Sequence, residues 1–76
     1  MVTAYVTVKA STGDVDRLKA EMAAIDDAVE SVSVVAGDID YIVKLRVDGP
    51  SDVKTVAASI HEMAGIEDTQ TYIAMD

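Results

Sequence analysis

Gly37-Asp38-Ile39-Asp40-Tyr41 is the pivot of this chain, because one pattern lies on both sides of it. Upstream, the alternating run Ala4-Tyr5-Val6-Thr7-Val8 leads through a helical stretch to Val32-Ser33-Val34-Val35. Downstream, Tyr41-Ile42-Val43-Lys44-Leu45-Arg46-Val47 leads through a second helical stretch to Thr69-Gln70-Thr71-Tyr72-Ile73. Short words recur: Asp14-Val15 and Asp52-Val53 open the two helical stretches, and Val29-Glu30 and Ile66-Glu67 precede the two closing strands. Residue by residue the copies are only weakly alike. The repeat is one of structure, strand-helix-strand taken twice and joined at a glycine-containing hairpin.

Working outward, the period-2 runs predict strands that bury one face. In the first, about Thr3 to Lys9, Ala4, Val6 and Val8 share a side, and Thr3, Tyr5, Thr7 and Lys9 share the other. Ser11-Thr12-Gly13-Asp14 starts a helix, with Ser11 or Thr12 as its cap and Asp14 and Asp16 at its positive end. Val15, Leu18, Met22 and Ile25 form the apolar stripe. Asp26-Asp27-Ala28 turns the chain into a second strand, about Val29 to Val35. The third strand puts Val43, Leu45 and Val47 on one side. Asp48-Gly49-Pro50-Ser51 ends it and starts the second helix with Ser51 as N-cap, Val53, Val56, Ile60 and Met63 as stripe, and Gly65 at C′. The last strand runs from about Asp68 to Met75. Right-handed crossovers then give one solution for residues 1–76 as a single domain. It is an α+β, ferredoxin-like βαββαβ sandwich, a four-stranded antiparallel sheet with both helices on one face.

Size and charge narrow the function. Seventy-six residues bury a limited core and call for an additional stabiliser. With no cysteine and one histidine, disulfides, thiolate metal sites and histidine metal clusters are excluded, which leaves oligomerisation. No metal or cofactor is expected. Fourteen acidic residues against six basic ones, net −8, speak against direct binding of nucleic acid. The acidity reads either as plain solubility or, given abundant Asp and scarce Lys, as adaptation to high salt. No run reaches the roughly 18 apolar residues of a membrane span, and no signal peptide is present, so no membrane association and a cytoplasmic location are expected.

Two helices cover one sheet face only. The other carries Tyr5, Thr7, Ile42, Tyr72 and Ala74, with Val35 nearby and Lys44, Arg46 and Gln70 at its edge. An apolar, aromatic patch with a polar rim predicts a face-to-face homodimer through Tyr5, Thr7, Ile42, Lys44, Tyr72 and Ala74, resembling the pairing of dimeric α/β barrels. The alternative is an ordinary solvated face. A cleft between paired sheets or between dimers would suit a small ligand.

Three stretches carry a family resemblance: Ala4-Tyr5-Val6-Thr7-Val8-Lys9, Val34 through Lys44 with Gly37-x-x-Asp40 followed by Tyr41, and Gly65 through Ile73 with its threonine-bearing last strand. Over essentially its whole length the chain resembles the effector-binding (RAM) domain of the Lrp/AsnC transcription regulators. The resemblance implies a homodimer, further assembly into a ring, and an amino acid or similar metabolite bound between dimers. Full-length members carry a DNA-binding helix-turn-helix, and here the chain opens on the first strand, with Met1 beside it. The alternatives are a stand-alone form, which Met1 favours, and the same domain excised from a longer regulator; the expectation is a stand-alone form that acts through a partner, full-length Lrp/AsnC regulators among them. Asp27-Ala28 stands where many members have a glycine-containing turn.

The resemblance also nominates a ligand site of Gly37, Asp38, Asp40, Thr69, Thr71 and Tyr72. An amino acid needs donors for its carboxylate and an acceptor for its ammonium. Gly37 either serves the hairpin alone or lets the ligand approach bare backbone. Asp38 would face the ammonium; Asp40 would do so too, or would bond to the turn backbone. Thr69 and Thr71 would offer hydroxyls, or are plain strand residues. Tyr72 lines the cleft or packs in the dimer face. His61 reads as an exposed residue flanking the second stripe. The acidic groups Asp26, Asp27 and Glu30, and Glu62, Glu67 and Asp68, lack calcium-loop spacing and read as solvated surface. No nucleophile triad, phosphate loop or dinucleotide fingerprint appears. The leading reading is therefore an amino acid-sensing and oligomerisation module of transcription regulation, not an enzyme. The alternatives are a structural interaction domain without ligand, and a small enzyme of the acylphosphatase or dimeric-monooxygenase kind.

Overall fold

The computed structural model describes residues 1–76, and its elements follow the expected order: β1 (Val2–Ala10), α1 (Val15–Ala24), β2 (Val29–Val34), β3 (Tyr41–Val47), α2 (Pro50–His61) and β4 (Ile66–Ile73). The sheet order is β2-β3-β1-β4 with every pairing antiparallel, the ferredoxin-like arrangement. β1 and β3 are central, so their inner residues are the most deeply covered.

Alternation fixes the faces. Ala4, Val6 and Val8 of β1 and Tyr41, Val43, Leu45 and Val47 of β3 are buried beneath Leu18 and Met22 of α1 and Val53, Val56 and Ile60 of α2. All twelve buried residues belong to this one cluster and none is charged. Both helices therefore share one sheet face, and the shortest dimension, 17 Å, is that of two layers. Tyr41 belongs to this core by parity with Val43. Burial pushes its phenol up from the ordinary value, and the Asp40 carboxylate pushes it further.

Several local expectations need correction. Val15 is 40% exposed and lies outside the core, whereas Ile25 and Met63 are half-buried at its margin. The first helix turns in at Asp14, whose side chain makes no cap bond. Asp14 instead pairs with Arg17 at 2.8 Å, and Arg17 reaches on to Glu21, an exposed ladder that holds the guanidinium above its usual range chiefly through the Asp14 hydrogen bond. Gly49, not Ser51, caps α2: Pro50 fills the first turn, and the Asp52 carboxylate accepts the Gly49 N–H at 3.3 Å. β2 stops at Val34, and β4 starts earlier, at Ile66.

Gly65 lies beyond C′ yet has a positive φ of 93°, and its carbonyl accepts the Ser11 N–H at 2.8 Å. The turn at Asp27-Ala28 manages without glycine. The Asp26 carboxylate accepts the Ala28 N–H at 2.8 Å, an Asx-turn, and no non-glycine residue has positive φ.

Candidate functional site

The face opposite the helices is uncovered, and the register organises it into rows. Tyr72 lies across from Tyr5, which lies across from Lys44 and then Ser31. In the next row Gln70, Thr7, Ile42 and Ser33 stand side by side. Ala74 joins at the margin, its N–H bonded to the Thr3 carbonyl at 2.9 Å. Tyr5, Thr7, Ile42, Lys44 and Tyr72 thus form one continuous patch with Ala74 beside it. Tyr72 is 54% exposed, and its hydroxyl donates to Gln70 Oε1 at 2.7 Å.

Charge on this face is close to balance, although the chain carries −8. Lys9, Lys44 and Arg46, half of the basic residues, lie here. Glu30, the extra residue of a bulge in β2, sits 3.8 Å from Lys44 and 3.7 Å from Arg46, and Glu67 sits 3.4 Å from Lys9. The acidic excess is carried by the helices and loops. A second copy can approach this face without the repulsion expected elsewhere.

At the hinge end of the same face lies an open hollow of about 640 Å³. Its wall is the β2–β3 loop, Val35 through Ile39, and its floor is Thr7, Ile42, Gln70 and Tyr72. Gly37, with φ 145°, leaves its backbone bare there, with nothing within 4 Å of where a Cβ would stand. Asp38 lines the hollow and is exposed. Of the six nominated ligand residues, the fold therefore brings Gly37, Asp38 and Tyr72 together.

Asp40 is occupied differently. Its carboxylate accepts the Ala10 N–H at 2.8 Å, its own N–H donates to the Val8 carbonyl at 2.8 Å, and its carbonyl accepts the Val35 N–H at 2.9 Å. Its side chain clamps the hinge to β1, reaching across the fold rather than into its own turn. Thr69 and Thr71 stand at the same end of the sheet but on the helix side, across from Val8 and Val6. They line a groove between α2 and β4, and Thr69 Oγ1 lies 3.1 Å from His61 Nδ1. Within one chain the hinge acids and the threonines are on opposite faces.

His61 is exposed and flanks the second stripe, as the spacing predicts, and positions 54, 57, 58 and 61 share one flank of α2. No group of acidic, histidine or cysteine side chains is arranged to hold a metal. No helix is long and apolar enough to cross a membrane.

The Lrp/AsnC ligand binding domain family model matches residues 3–76. The structure of FFRP-DM1 is 29% identical, with TM-score 0.86, and the match covers 99% of this chain and 100% of that one. TTHA0845 from Thermus thermophilus is 26% identical, with TM-score 0.91, over 100% of this chain and 95% of that one. The feast or famine regulatory protein of M. tuberculosis, solved in complex with L-methionine, is 23% identical with TM-score 0.81, a likeness of fold. This chain covers 51% of its length. No curated protein matches. With its fold and nearly every residue accounted for, the chain belongs to the Lrp/AsnC ligand binding domain family and is a regulatory ligand-binding module.

Proposed function

We propose that this chain senses an amino acid and couples its binding to assembly in transcription regulation. The observation that carries the reading is the coincidence, on one uncovered and nearly charge-balanced sheet face, of a tyrosine-bearing patch with the hollow formed by Gly37, Asp38 and Tyr72. The patch, with Tyr5, Thr7, Ile42, Lys44, Tyr72 and Ala74, pairs with that of a second copy, and the dimers join into a ring. The effector lies between copies. Asp38 and the carbonyls beside Gly37 take its ammonium, Asp40 keeps the hinge in register, and Thr69 and Thr71 of another copy take its carboxylate. The methionine complex of a regulator with the same fold supports an amino acid as the class of ligand.

Binding shifts assembly because the effector stabilises one packing over another. These 76 residues offer no cationic cluster for phosphate backbones, so DNA contact falls to another element or to a partner regulator. The role is cytoplasmic and non-enzymatic. Light scattering coupled to size exclusion, in molar salt with and without each of the twenty amino acids, tests this together with calorimetry. A larger assembly with one or a few amino acids, and heat of binding at millimolar concentration, is the expected result. A persistent 8.0 kDa monomer with no heat from any of them refutes it.

A further inference from the structure

Helix α2 turns Lys54, Ala57 and Ala58 toward the outer edge of the sheet, with His61 one turn further along the same flank. Facing them, Thr69, Thr71 and Ile73 alternate on the helix side of β4. Between the two runs lies a groove of about 440 Å³, with an apolar base that includes Val53. β4 is an edge strand that α2 covers only in part, which is why Thr71 and Ile73 remain exposed there.

The chemistry of this groove is unlike that of the rest of the surface. In a chain with fourteen carboxylate side chains, none lines it. It holds one ammonium and two hydroxyls, and His61 Nδ1 lies 3.1 Å from one of them, Thr69 Oγ1. By contrast, a second hollow, which touches α2 through Asp52, Thr55 and Val56, is lined by Asp26, Asp27, Asp48 and Asp52 against one cation, Arg46. A small anion with an apolar body fits the first and is repelled by the second.

We infer that the α2–β4 groove receives the carboxylate end of the effector, with Lys54 as its counter-charge and His61 as the positioning residue that aims the Thr69 hydroxyl. This rests on the amino acid-sensing reading above and adds two residues and a pH dependence to it. The neutral ring is assigned the tautomer with a bare Nδ1, which accepts the Thr69 O–H and so withdraws that hydrogen from a ligand. An imidazolium must donate through Nδ1 to Thr69 Oγ1, which turns the hydroxyl hydrogen outward to a carboxylate. Its charge adds to that of Lys54, two helical turns away, roughly 10 Å along the axis. Affinity therefore rises as the pH falls through the imidazole range.

The other charges around His61 leave this sense unchanged. On α2, Glu62 follows it at the helix end. On β4, Glu67 is paired with Lys9, and the Asp68 carboxylate accepts the Thr69 N–H at 2.9 Å. β1 and β3 turn Val2, Ala4, Val6, Val8, Ala10, Tyr41, Val43, Leu45 and Val47 toward the helices; Tyr41 is the one titratable group among them, and it is neutral across the imidazole range.

The test uses the whole chain, with the twenty common amino acids as probes and, for the strongest binder, its deaminated and decarboxylated forms. The chain has one histidine, so its ring resonances in a proton–carbon spectrum are unambiguous. At a fixed pH near 6.5, the binder and its deaminated form move the ring signal toward the imidazolium position, and the decarboxylated form leaves it in place. Binding is about tenfold tighter near pH 5.5 than near pH 7.5. His61→Ala abolishes that ratio and binds at neither pH more tightly than the native chain does near pH 5.5. Lys54→Gln weakens binding several-fold at both pH values and retains the ratio. Both side chains are exposed, so both variants fold, as circular dichroism verifies. An amino acid that binds equally at the two pH values without moving the ring signal overturns the groove assignment and leaves amino acid sensing intact. A panel with no binder overturns both.

Discussion

Tyr72→Ala is the most direct perturbation of the open sheet face. Tyr72 is 54% exposed in the isolated chain and stands opposite Tyr5, 38% exposed. An aromatic side chain buries ~150–250 Å² when fully covered. The share of Tyr72 still in water is therefore about 100 Å². At ~25 cal/mol per Å², covering it contributes about 2.5 kcal/mol. In a two-fold dimer the same surface is used by both copies, so truncation removes about 5 kcal/mol at most. Ordering of side chains at the contact offsets part of this. At tenfold per ~1.4 kcal/mol, a net loss of half to all of it weakens the dimer by roughly 10² to 10³-fold or more.

The isolated chain should scarcely notice the change, because the ring lies outside the core and its hydroxyl bonds only to exposed Gln70. Sedimentation velocity over a concentration series measures the effect. Val34→Ala is the control: it removes a side chain of similar exposure, 49%, that lies across from Tyr41 on the helix side of β2. The expected result is a dimer for the native chain and for Val34→Ala, and an 8.0 kDa species for Tyr72→Ala at the same concentration. Equal association of Tyr72→Ala and the native chain would remove the open face as the interface.

Three further outcomes are expected. Gly65→Ala must hold a side chain at φ 93°, with its Cβ 2.8 Å from Thr12 Cγ2; the cost is about 1–3 kcal/mol, seen as a lower Tm. Thr12→Ser, which deletes that methyl, recovers only the steric part, and full recovery would refute the backbone share. With fourteen acids against six bases, melting temperature should climb as salt shortens the screening length from ~10 Å at 0.1 M to ~3 Å at 1 M; identical melts at both ends reject the high-salt reading. Tyr41, raised by burial and then by Asp40, ionises first in the unfolded chain, at about pH 10. Its contribution is intact below that pH and fades as the pH rises toward the folded value. Tyr41→Phe should flatten this alkaline loss in denaturant melts, and an unchanged slope counts against the assignment.

The separation of Thr69 and Thr71 from Tyr72 was legible in the sequence. Odd and even positions of a strand point to opposite faces, and Thr69 and Thr71 share a parity that Tyr72 and Gln70 do not. The same parity puts Tyr41 with Val43 in the core. Grouping all six ligand residues on the family resemblance and on one end of the sheet obscured this. Val15 kept the helical spacing of its stripe but lies at the first residue of α1, beyond the edge of what the sheet covers, so periodicity overstated its burial.

The sequence by itself determined the order of the elements, the two faces of the central strands, the single covered side of the sheet and the hinge at Gly37, since these depend on spacing between near neighbours. Only the tertiary structure decided that the Asp40 carboxylate ties down the Ala10 N–H thirty positions away. Only it decided that His61 meets Thr69 across a groove, and that the cations of an acidic chain gather where a copy can approach. These contacts depend on how helices and strands dock. Docking is set by the summed packing of the whole core, which no local stretch encodes.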